Sequence, residues 1–467
     1  MTSSKTVRNP ATGEAVGGAP VATSADVERA LARARAAQAD WARTPRHARY
    51  SVMLRFADLL ESESASLSPL LTAESGKTLA ETAGEVALCA RLFRGFAERV
   101  MSEVDEARFL DSQAGAENDL VITRGEPLGV VAAIIPFNFP VELFGHKVAP
   151  ALATGNTVVA KPPVDDPLAV LRLGELLLEA GLPEGVVQEV YGGAEVGAQL
   201  AESPLVSAVS LTGSTETGLA VAREGAKTLK RVYLELGSND PMIVLEDADL
   251  DLAVEAAVFG RSLANGQCCC ATKRLLVHSS VAEEFTERVV ASFGSLSMGD
   301  PAEKDTEVGP LISEVAAARV AAQVEAAVGA GAVTLTGGGR SGTSFFAPTV
   351  LADVQPGSGI ATDVEVFGPV LPIIPVESDK DAVAVANSSR YGLSGSVFTA
   401  DLGRAMRVAT ELETGQVVLN GSSLYRSERV GFGGYKSSGN AREGLDTSLH
   451  DYVRYKDIAL PGVLRSR

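Results

Sequence analysis

Val206-Ser207-Ala208-Val209-Ser210-Leu211-Thr212-Gly213-Ser214-Thr215-Glu216-Thr217-Gly218 runs from a short apolar segment through a glycine turn into the start of a helix. The apolar run Val206–Leu211 reads as a strand, and Thr215–Glu224 reads as the helix that follows it. Working outward, Ala194–Glu202 is a helix, Val186–Val190 a strand, Pro167–Ala180 an amphipathic helix and Asn156–Ala160 a buried strand. Downstream, Arg231–Glu235 is the next strand. Strands alternating with helices of this length predict a parallel sheet covered on both faces. A second alternation occupies Met242–Leu419, with helices at Leu250–Leu263 and Val281–Ser292 and a strand at Arg274–Val277. The fold class is therefore α/β with two parallel-sheet units.

Outside this alternation, Ser24 to Val104 has helical periodicity, and Trp41, Leu54, Phe56, Leu59 and Leu60 are candidate core. Asp111–Asp119 is a polar loop. Leu120–Ile135 reads as two β-branched runs folded into a hairpin at Gly125-Glu126-Pro127. Tyr452–Ile458 alternates like a strand.

Composition excludes several functions. With 467 residues and 46% apolar content, the chain can bury two or three cores. A net charge of −18 lacks the basic stripe of a nucleic-acid binder. The apolar stretch Val130–Phe144 is interrupted by Pro136, Asn138, Pro140 and Glu142, far from the ~20 residues of a membrane span. Four cysteines, three of them adjacent, make neither a disulfide framework nor a metal site, so no metal is expected. No secretory h-region is seen near Met1, and a cytoplasmic protein is expected.

Five segments carry candidate chemistry. Cys268-Cys269-Cys270, in a glycine-bearing loop after a helix, offers either a reactive thiolate or buried structural thiols. Glu235 ends an apolar strand, where desolvation would raise its pKa and make it a general base; a solvated strand-end acid is the alternative. Asn138, in Pro136-Phe137-Asn138-Phe139-Pro140, is either an amide donor to an oxyanion or a turn residue. Lys161 lies at the carboxyl end of a strand, where open α/β sheets bind ligands. Gly213 and Ser214 open a helix whose amino end suits a pyrophosphate or needs only a cap. The fingerprint G-x-G-x-x-G is absent.

Taken in order, Pro136–Pro140, Lys161-Pro162, Gly213-Ser214-Thr215, Glu235-Leu236-Gly237, Gly266-Gln267-Cys268-Cys269, Glu365-Val366-Phe367-Gly368-Pro369 and Phe432-Gly433-Gly434-Tyr435-Lys436 closely resemble the aldehyde dehydrogenase superfamily. The resemblance spans Asn9-Pro10 to the tail. It implies an aldehyde dehydrogenase-like fold of two Rossmann-like domains and a β oligomerisation arm. The NAD(P)-binding domain would take residues 1–106 and 130–236, the thiol domain 237–436, and the arm and tail 107–129 and 437–467. It also implies Cys269 as nucleophile, Glu235 as general base and Asn138 as oxyanion donor. Pro136, Phe137, Lys161, Gly213, Ser214, Glu365 and Phe367 would hold NAD(P)+. A homodimer or homotetramer acting on a small aldehyde is implied.

The expected reaction is oxidation of an aldehyde to its acid with reduction of NAD(P)+, through a Cys269 thiohemiacetal and a thioester hydrolysed by Glu235-activated water. The presence of Glu235 favours hydrolysis over transfer to coenzyme A. NAD-preferring relatives commonly carry an acid at the position of Val164, so NADP+ is expected to be accepted. Arg426 or Arg429 would receive a semialdehyde's anionic end, and His146, on the helix after Asn138, would face the tunnel; a solvated, mutually paired Arg426-Glu428-Arg429 surface and a packed or solvated helix histidine are the other readings. Gly237-Ser238-Asn239-Asp240 replaces the usual Gly-Gly-Lys, and Gly431 replaces a proline, which would loosen the preceding loop. A cofactor-independent cysteine hydrolase or acyltransferase is the rival from another class.

Overall fold

A computed structural model describes residues 4–102 and 105–465; of the helical stretch expected up to Val104, Glu103 and Val104 lie outside the described residues. Two parallel sheets dominate. The first has the order Val187–Glu189, Thr157–Lys161, Val130–Ile134, Val206–Thr212, Arg231–Glu235, with every neighbour parallel. The chain starts in the middle strand, builds outward on one side, then returns to build on the other. The strands Val130–Ile134 and Val206–Thr212 therefore flank a topological switch point, and their carboxyl ends open a crevice.

The strands read as nearly continuous apolar runs because both faces are buried. Val131 and Ala133 pack into one core with Phe56, Phe93 and Phe144, while Val130, Ala132 and Ile134 pack into another with Val196, Leu200 and Val221. The first core is roofed by helices Arg46–Ser62, Leu79–Arg99 and Pro140–Ala153, and Trp41 is buried within it.

The second sheet has seven strands, ordered Val333–Thr336, Thr349–Ala352, Val370–Val376, Arg274–His278, Pro241–Val244, Ser396–Phe398, Val418–Leu419. Its first pair is antiparallel, a departure from the wholly parallel unit expected, and the rest are parallel. An edge strand borders only one neighbour, so its direction is less constrained than a central strand's.

One expectation is corrected. Leu120–Ile135 is not a hairpin. Leu120–Pro127 pairs antiparallel with Asp105–Phe109 on one side and Val453–Leu460 on the other, whereas Val130–Ile134 enters the first parallel sheet. Gly125-Glu126-Pro127 lies within the strand, and the reversal falls instead at residues 110–119. Gly129, at φ +133°, redirects the chain between the two sheets. Among the described residues, no helix is long and apolar enough to cross a membrane.

Candidate active site

Two cavities meet between the sheets. The larger, about 660 Å³, lies at the switch point and is lined by Pro136, Phe137 and Asn138 after one strand and by Thr212, Gly213 and Ser214 after its neighbour. Glu365, Phe367, Arg319 and Gln323 close its far side. The smaller, about 110 Å³, is walled by Leu88, Phe139, Leu143, Leu263, Leu424 and Phe432, with Glu142, Glu235, Glu443, Arg426 and the three adjacent cysteines. Asn138 and Cys269 line both.

Cys269 reaches this junction on a contorted loop. Ala264, Asn265 and Gly266 all take left-handed backbone conformations, at φ 50°, 58° and 76°. A side chain on Gly266 would meet the Gly368 carbonyl at 2.4 Å, so only glycine fits. The Asn265 amide ties the loop down by donating to Gly76 O at 2.9 Å and Pro310 O at 2.8 Å, and its oxygen accepts from Gly309 N at 2.6 Å. The Cys269 carbonyl accepts from Ser238 Oγ and, at 2.6 Å, from Lys273 Nζ. A hydrogen bond from Cys268 favours the Cys269 thiolate, but its bond to Cys270, burial and the Glu235 charge push the thiol well above its ordinary range. Cys268 and Cys270 are buried, with their sulfurs 3.6 Å apart.

Glu235 ends the edge strand of the first sheet. Its carbonyl accepts from Gly213 N at 3.1 Å, and Gly439 bridges it on the other side. The side chain is buried, and Oε1 has no hydrogen-bond partner among the described residues. Burial first, and then the nearby Glu443, push its pKa up to about 8, against the pull of Arg426 and Lys147. Glu443 behaves oppositely. Burial works against its charge, but Lys147 and His146 outweigh that and hold it below the usual carboxylate range. Lys147 Nζ donates to Glu443 at 2.7 Å and to Thr212 Oγ1 at 2.8 Å. Sequence reading missed Lys147 and Glu443, which stand 296 residues apart and share no local signal.

The other expected residues divide by position. Phe137 and Phe367 line the larger cavity edge to face, with centroids 5.8 Å apart. Glu365 accepts from Lys273 Nζ at 2.6 Å and Ser238 N at 3.0 Å. Thus Ser238, in the unusual Gly237–Asp240 segment, links the Glu365 and Cys269 loops. Ser214 caps the helix Thr215–Ala226, its Oγ accepting from Thr217 N. An added Cβ on Gly213 would touch only Leu211, at 3.7 Å, leaving its cavity face open to a ligand. Lys161 lies behind the cavity rather than in its wall; Nζ donates to Pro162 O at 3.0 Å and Gly192 O at 3.2 Å. Burial lowers its pKa to about 8, although Glu195 and Asp165 pull the other way. The carboxylate lining this end of the cavity is Asp165, one residue after Val164, and Lys5 Nζ lies 3.2 Å from it.

Of the residues considered for substrate, only Arg426 lines the smaller cavity. Its guanidinium carbon sits 3.7 Å over the Phe432 ring and Nη2 is 4.0 Å from Glu142 Oε1. Arg429 is turned outward, 69% exposed and 3.8 Å from Asp446. His146 is buried behind Glu142, with Nε2 3.7 Å from it. The mutually paired Arg426-Glu428-Arg429 surface does not form either, because Glu428 accepts from Arg91 at 2.8 Å. Nor is the loop before Gly431 unanchored. Gln416 Nε2 donates to Tyr425 O at 2.8 Å, Leu445 N to Glu428 O at 2.7 Å and Arg442 to Gly431 O at 2.8 Å. Among the described residues, no histidine lines either cavity beside Cys269.

The Cys269 thiol, the Asn138 amide and the Glu235 carboxylate thus gather where the larger cavity meets the smaller. The chain is 38% identical over 457 residues to the glutarate-semialdehyde dehydrogenase of Pseudomonas putida, covering 97% of this chain and 94% of that one. The crystal structure of succinate-semialdehyde dehydrogenase from Burkholderia pseudomallei superposes with a TM-score of 0.95 at 37% identity, over 98% of this chain and 95% of the other. An E. coli NADP-dependent enzyme superposes with a TM-score of 0.95 at 35% identity, over 98% and 95%. The profile of the aldehyde dehydrogenase family matches residues 1–458. With matches that run nearly end to end in both sequence and fold, the chain belongs to the aldehyde dehydrogenase family of oxidoreductases.

Proposed function

We propose that this chain is an NAD(P)+-dependent, non-acylating dehydrogenase of a short aldehyde, a semialdehyde by preference, working in the cytoplasm as a homodimer or homotetramer. The observation that carries this reading is the sharing of Asn138 and Cys269 by the two cavities. Residues 1–106 and 130–236 hold the cofactor, residues 237–436 carry the thiol, and 107–129 with 437–467 form the arm. The free cysteines suit a reducing compartment.

The larger cavity fits a dinucleotide. It has a helix amino end at Gly213-Ser214 for the pyrophosphate and an aromatic pair near Cys269 for the ring. NAD(P)+ bound there supplies the hydride acceptor. The Cys269 thiol gives its proton to water, and the thiolate sulfur bonds to the aldehyde carbon as the carbonyl electron pair moves onto oxygen; the oxyanion of this thiohemiacetal is held by the Asn138 amide, and one such donor is worth about 3 kcal/mol. Loss of hydride leaves a thioester on Cys269. Glu235 then takes a proton from water, the hydroxyl adds to the acyl carbon, and the C–S bond breaks to release acid and thiolate. With Glu235 in the chamber, hydrolysis competes well with transfer to coenzyme A.

The chamber's 110 Å³ suits a chain of a few carbons, and Arg426 gives it the cation for a distal carboxylate. NADP+ is accepted because residue 164 is valine and the charge of Asp165 is offset by Lys5.

Stopped-flow absorbance of reduced nicotinamide tests the scheme. Wild type should turn over continuously, Glu235→Gln should give one burst per site and then stall, and Cys269→Ala should give none. NADP+ should serve within about tenfold of NAD+ in kcat/KM, ~1.4 kcal/mol. Ester cleavage without cofactor reduction would favour the hydrolase, and full turnover of Glu235→Gln with coenzyme A the acylating enzyme.

A further inference from the structure

Lys77 and Glu85 form an ion pair beneath the Asn138 loop, both side chains at most 2% exposed. Lys77 Nζ also donates to the Asn138 carbonyl at 2.7 Å and lies 4.6 Å from the centre of the Phe139 ring. The other oxygen of Glu85 accepts from Val141 N at 2.8 Å and Glu142 N at 3.1 Å. Those amides belong to the first turn of the helix Pro140–Ala153, which has no side-chain cap of its own at Phe139. The pair therefore grips the loop on both sides of Asn138, at its carbonyl and at the helix that follows. Among the described residues that line the two cavities of the site, neither Lys77 nor Glu85 appears, so neither meets substrate or cofactor there. A buried ion pair contributes little net stability compared with apolar packing. Its geometric effect is different, since displacing a reacting group by about 1 Å can cost ~100-fold in rate.

We infer that Lys77 and Glu85 are positioning residues that fix the Asn138 amide where the oxyanion develops. The inference rests on the reading of Asn138 as the oxyanion donor. It is tested by a double-mutant cycle on the rate of reduced-nicotinamide formation in a single turnover, with Lys77→Met made in wild type and in Asn138→Ala. Asn138→Ala keeps the carbonyl that Lys77 holds but removes the amide. A general structural effect of Lys77 persists in that background, whereas a positioning effect disappears.

Asn138→Ala alone should slow the step ~100- to 1,000-fold. Lys77→Met should slow it about 10- to 100-fold in wild type and less than about threefold in Asn138→Ala. Cofactor Kd and the rate of Cys269 alkylation by iodoacetamide should stay unchanged. The Lys77 charge also acts on buried Glu74 and Asp166, so Glu85→Gln serves as the second variant should Lys77→Met fold poorly. Glutamine still accepts from Val141 N, and the same pattern is expected at about fivefold. Equal slowing in both backgrounds, or a raised cofactor Kd, overturns the inference while leaving Asn138 in place. An unslowed Asn138→Ala overturns the reading of Asn138, and the inference with it.

Discussion

Glu235 and Glu443 share one small chamber and hold their protons oppositely. Glu443 is ionised beside Lys147, and Glu235, without a cation at bonding distance, rises to about 8. Two carboxyls driven apart by their surroundings can divide acid and base work. As the base we propose, Glu235 should make the acyl-release rate climb with pH through about 8. The same shift has a stability consequence of fixed sign. Between about pH 4.5 and 8 the folded chain keeps a proton that the unfolded chain has lost, so this group's contribution falls as pH rises. Glu235→Gln should therefore gain in Tm over wild type between pH 5 and pH 9, by about 2–4 °C in scanning calorimetry. A difference that stays flat would contradict a raised pKa at Glu235. Asp240, pushed up to about 7, and Glu74, to about 8, are present in both proteins and cancel in the comparison. Arg426 carries the substrate prediction. Arg426→Ala should raise KM for succinic semialdehyde about tenfold or more over KM for a neutral aldehyde of similar length, since a charge-assisted contact is worth about 1.5–3 kcal/mol. An unchanged KM ratio in steady-state assays removes the anionic substrate.

At the level of elements, the loop Ala264–Gly266 decides where the thiol stands. Its left-handed Ala264 and Asn265 are unfavourable by themselves, and the side-chain bonds of Asn265 to two carbonyls and one amide over-determine the turn. Asn265→Ala should cost about 2–4 kcal/mol in urea unfolding, from three lost bonds in a buried site. It should also slow alkylation of Cys269. Wild-type stability would show the loop to be held by other contacts. The sequence marked Asn265-Gly266 as a loop, because a helix signal stops there, but the handedness of the turn needs Gly368 and Pro310 pressed against it. The misplaced hairpin has a similar origin. Two β-branched runs split by Gly-Glu-Pro satisfy a local rule, but Leu120–Pro127 pairs instead with the preceding Asp105–Phe109 and with Val453–Leu460, the second more than three hundred residues on.

Across the whole molecule, the three-stranded sheet of Asp105–Phe109, Leu120–Pro127 and Val453–Leu460 stands apart from both parallel sheets, with Phe109, Tyr455 and Ile458 exposed on it. The assembly we propose would cover these side chains. Light scattering should therefore give a mass of two or four 48.4 kDa chains, about 97 or 194 kDa. Ile458→Lys should lower it, whereas a wild-type mass of one chain would exclude the oligomer. The −18 charge then serves solubility, and Arg426 is a local cation within a negative field.

The sequence alone determined the alternation of strand and helix, the glycine turn at the switch point and the order of motifs around Asn138, Glu235 and Cys269. These are set by neighbours a few residues apart, through periodicity and backbone preference. The tertiary structure decided which arginine enters the chamber, that Asp165 rather than residue 164 meets the cleft, and that Lys147 pairs with Glu443. It also decided that Lys77 and Glu85 hold the Asn138 loop. Each of these depends on which distant groups are desolvated together, and charge and hydrogen bonding act through space rather than along the chain.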